Sequence, residues 1–89
     1  MDTIVTEYTD YCVFCGKQKK HDHHLVYGRG IRPIADEDGL KVPICNACHA
    51  EIHNNGIAGK LSKMLGQAVY EGNIGDREDF RRRYGRSYL

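Results

Sequence analysis

The chain has 89 residues with no Trp, two Phe, ten Gly and a net charge of +1. One small domain (1–89) is expected, and so thin an apolar inventory calls for a staple to hold it together. The charge balance excludes a general pull toward nucleic acid. No apolar run is long enough to span a membrane, and the opening MDTIVTEYTDY lacks the basic start and apolar stretch of a signal peptide, so a cytoplasmic chain with no membrane partner is expected.

In chain order, the first feature is Cys12-Val-Phe-Cys15-Gly16, a knuckle whose Gly permits the turn that aims backbone amides at sulfur. Its counterpart is Cys45-Asn-Ala-Cys48. In a reducing compartment four cysteines bind metal more readily than they pair as disulfides, and four soft thiolates select Zn²⁺ with sulfur at about 2.3 Å. The competing reading, two unconnected CxxC motifs of which one is redox-active, would need a βαβ setting that the sequence does not provide. Zinc on Cys12, Cys15, Cys45 and Cys48 is therefore expected to be structural, in a treble-clef arrangement.

Between the knuckles, His23-His24-Leu-Val-Tyr reads as an extended run and Leu40-Lys-Val-Pro-Ile44 as a second strand. The acidic, Gly-containing stretch joining them is predicted to be a hairpin loop. Strand alternation sends His23 and His24 to opposite faces, so one can ligate an ion while the other does a different job. Asn46–His53 has no breaker and reads as a helix, on which His49 and His53 share a face and can hold one ion. His21 reads as a solvated loop residue.

The remainder reads as scaffold. Ile57, Leu61, Met64, Leu65, Ala68 and Val69 recur at helical spacing, predicting an amphipathic helix over 57–71. Gly66 inside it costs about 1 kcal/mol relative to Ala, which points to a close approach or a kink. Gly72-Asn73 ends it, Asp76 caps a short helix that turns Phe80 and Tyr84 to one face, and Gly85 stops the chain's last helix.

The run His23-His24-Leu25, Gly39-Leu40-Lys41-Val42-Pro43-Ile44-Cys45-x-x-Cys48-His49-x-x-x-His53 resembles the HNH (His-Me finger) nucleases with embedded zinc knuckles. The resemblance covers Cys12 to about Asn54. The order of HH, CxxCH and HxxxH is specific where each piece alone is not. The chain is most similar to small phage- and prophage-encoded HNH-like proteins, whose tails LGQAVYEG and REDFRRRYGRSYL resemble more loosely.

The resemblance implies a small α+β, zinc-stapled ββα-metal core (12–54) with a helical C-terminal extension (55–89) of two helices. It also implies His23, His49 and His53 as ligands of a second divalent ion, Mg²⁺, Mn²⁺, Ni²⁺ or Zn²⁺, and His24 as general base. An alternative register would make Asp22 the ligand and His23 the base. It ranks second because the family's base is typically followed by an aliphatic residue, as His24 is by Leu25. The chain departs from the pattern at the middle Asn, absent from Glu37-Asp38-Gly39-Leu40-Lys41, where Asp38 is the candidate to brace the hairpin instead.

The activity so implied is metal-assisted hydrolysis of phosphodiester bonds by an endonuclease or nickase, with DNA as the expected partner. Arg29 and Arg32 are candidate phosphate contacts beside the ion. Lys17, Lys19 and Lys20 on the first knuckle, and Arg81-Arg82-Arg83 with Arg86 in the tail, are further candidates. For each of these basic groups a solvated face is the competing reading. A second hypothesis is a catalytically silent binding module that captures nucleic acid or a nucleotide, for example in anti-defence. A third is an accessory subunit of phage machinery. Both a homo-oligomer and such a machinery partner stay open, and the bacterial host's cytoplasm is the implied location.

Overall fold

The computed structural model describes residues 1–89. Six elements follow in order: β1 (His21–His24), α1 (Arg32–Glu37), β2 (Lys41–Ile44), α2 (Asn46–Asn54), α3 (Gly56–Asn73) and α4 (Arg77–Tyr84). The strands form one antiparallel pair in the register His21↔Ile44, Asp22↔Pro43, His23↔Val42 and His24↔Lys41. Pro43 is tolerated because each strand of a two-stranded sheet has a free edge, and its carbonyl still accepts from Val13 at 3.0 Å. The result is a small α+β domain of two strands and four helices. No helix is long and apolar enough to cross a membrane.

Two expectations about the strands need correction. The first strand starts earlier and ends sooner than His23–Tyr27. Pairing stops after His24, although the Leu25 amide still donates to the Leu40 carbonyl at 2.9 Å. Leu25 and Val26 are then both fully buried, which strict alternation would forbid. The connection between the strands is not a plain hairpin loop but carries α1, with Pro33 in its first turn, where a missing N–H breaks no helical bond. Ala35 of α1 is fully buried against Val26, Leu40, Tyr70, Phe80 and Tyr84. Gly39, at φ +72°, turns the chain from α1 into β2.

The predicted apolar face of α3 is also corrected. Ile57, Leu61, Leu65 and Ala68 lie toward solvent, Ile57 being 74% exposed. The buried face is instead Gly59, Ser62, Gly66, Gln67 and Tyr70. Small residues at that spacing let the helix come into backbone contact with the chain leaving β1. A Cβ at Gly66 would stand 2.6 Å from Val26 Cγ2 and 3.0 Å from Leu25 Cβ, and one at Gly59 would stand 2.7 Å from the Tyr27 hydroxyl. The glycine therefore marks a close approach rather than a kink.

The last helix follows the sequence closely. Asp76 and Asp79 form a capping box, Phe80 stacks on Tyr84 at 4.4 Å, and Gly85 at φ +88° ends the helix. Asp38, at the end of α1, accepts from Arg83 Nε and the Tyr84 hydroxyl, each at 2.7 Å. It thus ties α4 to the core, where the sequence expectation has it bracing the connection between the strands.

Candidate metal centre

Two clusters of metal-ligating side chains sit on either side of the N-terminal turn of α2. The first holds Cys12, Cys15, Cys45 and Cys48, whose sulfurs all lie within 4.8 Å of one another. The 12–15 knuckle is closed by the Cys12 amide on the Lys17 carbonyl at 2.6 Å and the Gly16 amide on the Cys12 carbonyl at 2.9 Å. Gly16 stands at φ +77°. Cys45 is the N-cap of α2 and accepts from the Cys48 amide at 3.4 Å.

Cys15 and Cys45 sulfurs are 3.5 Å apart, far from disulfide length. A Zn–S bond of about 2.3 Å gives a tetrahedron with edges of about 3.8 Å, so the set fits a metal ion such as zinc. Burial opposes ionisation of Cys12, but the backbone amides of Cys45, Phe14 and Cys15 outweigh it and bring the thiol down to about 6. The Cys48 amide also lowers Cys45, whereas burial and the neighbouring thiols push Cys48 up to about 12. Backbone amides thus favour the ionised form of Cys12 and Cys45.

The second cluster holds His23, His49 and His53, with one ring nitrogen of each within 4.8 Å of the others. His49 and His53 are one helical turn apart on α2, and their Nε2 atoms are 3.0 Å apart. His23 enters from β1, 2% exposed, with Nε2 at 2.9 Å from Ser62 Oγ. The Ser62 hydroxyl donates to the Leu25 carbonyl at 2.9 Å, so its oxygen accepts from His23 Nε2–H and leaves Nδ1 with the lone pair. Burial, and then the nearby His49 and His53, push the His23 imidazole down to about 3. Burial, then His53 and His21, also lowers His49. Neutral imidazoles with free lone pairs are what a divalent ion requires, and nitrogens at these separations fit a metal–nitrogen distance of about 2.0–2.1 Å.

His24 points away from His23, as alternation requires, yet lines the same cleft of about 380 Å³. Its Nε2 lies 3.0 Å from Asp36 Oδ1 on α1, and Lys41 Nζ holds that same oxygen at 2.8 Å. Lys41 first, and His24 after it, keep Asp36 below the usual carboxylate range and hence ionised. Asp36 thus contacts His24 directly, a contact that the sequence does not predict. In the alternative register, Asp22 lines the same cleft but is paired with Lys19 at 2.6 Å, while His23 stands with the helix histidines.

The chain matches a family model described as "Protein of unknown function (DUF968)" over residues 5–67, more than half of its length. It belongs to the DUF968 family. No curated protein and no solved structure matches it. The matched part of this DUF968 chain takes in both clusters, Asp36 and Ser62, and stops short of α4.

Around the histidines the DUF968 chain places some expected residues and not others. Arg32 lines the cleft, whereas Arg29 is exposed and lines none of the clefts around the histidines. His21 is not a loop residue: it opens β1, bonds Asn46 through Nε2, and lies 4.9 Å from the His49 ring. Tyr27 walls the other side, 5.0 Å from the His53 ring. The basic tail does not act as one cluster. Arg81, Arg82 and Arg83 pair with Glu78, Asp79 and Asp38, while Arg86 has no acidic partner.

Ser62 and Asp36 are the site residues that sequence reasoning missed. The spacing Gly59-x-x-Ser62-x-x-x-Gly66 was the available signal for Ser62, since small residues on one helix face mark a close contact. Nothing in the sequence distinguishes Asp36 from its acidic neighbours.

Proposed function

We propose that this chain is a metal-dependent phosphodiesterase of the HNH type that acts on nucleic acid. The observation that carries this reading is the convergence of three histidines from β1 and α2, with His23 neutral and fixed in one tautomer, beside a fourth histidine bonded to a carboxylate. Two strands followed by α2, stapled by a four-cysteine cluster, fit the ββα-metal arrangement that the sequence resembles.

A divalent ion held by His23, His49 and His53 would polarise a phosphoryl oxygen and stabilise charge on the leaving oxygen. His24 supplies the base. Donation of Nε2–H to ionised Asp36 leaves Nδ1 free to take a proton from water, the division of labour seen wherever a carboxylate orients a catalytic imidazole. Lys41 holds Asp36 in place, so the bracing that the missing Asn would supply comes from α1. Arg32, exposed on the cleft rim, is placed to meet a phosphate.

Incubation of plasmid with the protein and Mg²⁺, Mn²⁺, Ni²⁺ or Zn²⁺ tests the reading. Nicking or linearisation that a chelator abolishes supports it. Failure to cleave any single- or double-stranded substrate, together with tight capture of one, would favour the silent binding module. The absence of the Asn is the observation on that side.

A further inference from the structure

Beyond Tyr27 and His53 the histidine cleft opens into a second one, of about 560 Å³, formed between the start of α3 and the chain after α4. The two clefts share Tyr27 and His53. Lys60, Lys63 and Arg86 line the second, with no Asp or Glu among its walls. None of the three cations has an acidic partner, in contrast to Arg77, Arg81, Arg82 and Arg83 a short distance along the chain.

Two of these cations are also positioned. Lys63 Nζ stands over the Tyr27 ring at 4.6 Å and the Tyr88 ring at 5.6 Å, and the Arg86 guanidinium stands over Tyr88 at 4.7 Å. Tyr88 is itself anchored by its amide on the Gln67 side-chain oxygen at 2.6 Å. Arg32, which likewise has no acidic partner, lines the histidine cleft itself.

We infer that this second cleft is a phosphate track, binding the sugar-phosphate backbone of a nucleic-acid strand that passes from Lys60, Lys63 and Arg86 across the histidines to Arg32. Free cations held by aromatic rings, on a chain whose net charge is only +1, recognise a polyanion locally without a general electrostatic pull. The position of the scissile bond on this track rests on the nuclease reading, whereas the binding itself does not.

The test is fluorescence anisotropy of the zinc-loaded full chain with a labelled oligothymidylate and with a labelled duplex, across a salt series. Lys63→Met with Arg86→Gln should weaken binding at least tenfold. It should flatten the plot of log affinity against log salt by about 0.7 per lost contact on the single strand, or about 0.9 on the duplex. Arg81→Gln with Arg82→Gln, which removes the same charge from paired positions, should leave both affinity and slope near wild type. Thermal melts establish that each variant is folded, and Lys63→Arg should retain binding if the Met variant is loosened.

Equal losses in the two double variants, or an unchanged slope in the first, would overturn the track. Cleavage separates this inference from the function proposed above. A wild type that binds through these cations yet never cleaves leaves the track standing and the nuclease wrong, and a wild type that cleaves with the first double variant unimpaired does the reverse.

Discussion

Ser62 Oγ lies 2.9 Å from His23 Nε2 and gives its own proton to the Leu25 carbonyl, so the direction of the bond to the imidazole is fixed. A residue on α3, outside the two strands and α2, thereby leaves Nδ1 as the His23 nitrogen with a free lone pair. The close approach that permits this depends on Gly59 and Gly66, one turn to either side.

Ser62→Ala should therefore weaken the histidine-site metal about 10–100-fold while leaving the cysteine-bound ion in place. Competition with a chelator on metal-loaded protein measures both. His49→Ala, which removes a ligand outright, should abolish the weaker site altogether. Unchanged affinity in either variant would mean that the ion sits elsewhere.

The four-cysteine staple makes a prediction about folding. Zinc binding of about 10–16 kcal/mol in small structural sites is comparable to the whole stability of a domain. One zinc per chain should remain after purification, and its removal by a strong chelator should abolish the cooperative thermal transition followed by circular dichroism. Folded protein without tightly held zinc would contradict this.

Gly66→Ala separates helix propensity from packing. Propensity alone would favour Ala by about 1 kcal/mol. The added methyl meets Val26 at 2.6 Å and Leu25 at 3.0 Å, both fully buried, and overpacking of that kind costs about 1–3 kcal/mol. Net destabilisation is expected in a urea melt. Stabilisation would show that α3 does not pack this closely.

The sequence made the two knuckles, α2, α4 and the His49–His53 pair legible because each rests on local spacing: CxxC, HxxxH, a cap and a terminal Gly. The buried face of α3 was not legible. Apolarity at Ile57, Leu61 and Leu65 outweighs Gly59, Ser62 and Gly66 in any periodicity, yet backbone proximity to Leu25 and Val26 decided which side turned inward. Helix α1 was hidden for a related reason. It is six residues long with one fully buried side chain, Ala35, so it carries almost no periodic signal. Asp36 could be recognised only once that helix set it beside His24.

The buried histidine also imposes a pH dependence on folding. His23 has its imidazole lowered by burial from the ordinary 6.5 to about 3, so the unfolded chain binds a proton below about pH 6.5 that the folded chain refuses until about pH 3. Stability is thus complete above that window and falls as pH drops through it, and the histidine-site metal should leave in the same direction. Urea melts at a series of pH values should show this slope, diminished in a folded His23→Gln variant. A stability that rose on acidification would contradict a buried neutral His23.

The most direct measurement of the central claim is the initial rate of plasmid nicking by wild type, His24→Ala and His23→Ala, with metal content determined on the same samples. His24→Ala should keep both ions and its fold while the rate falls by about 10²–10⁴-fold, the usual worth of a general base. His23→Ala should lose the histidine-site ion and the activity together. Wild-type rates in His24→Ala, or metal retained in full by His23→Ala, would contradict the division of labour between these two adjacent histidines.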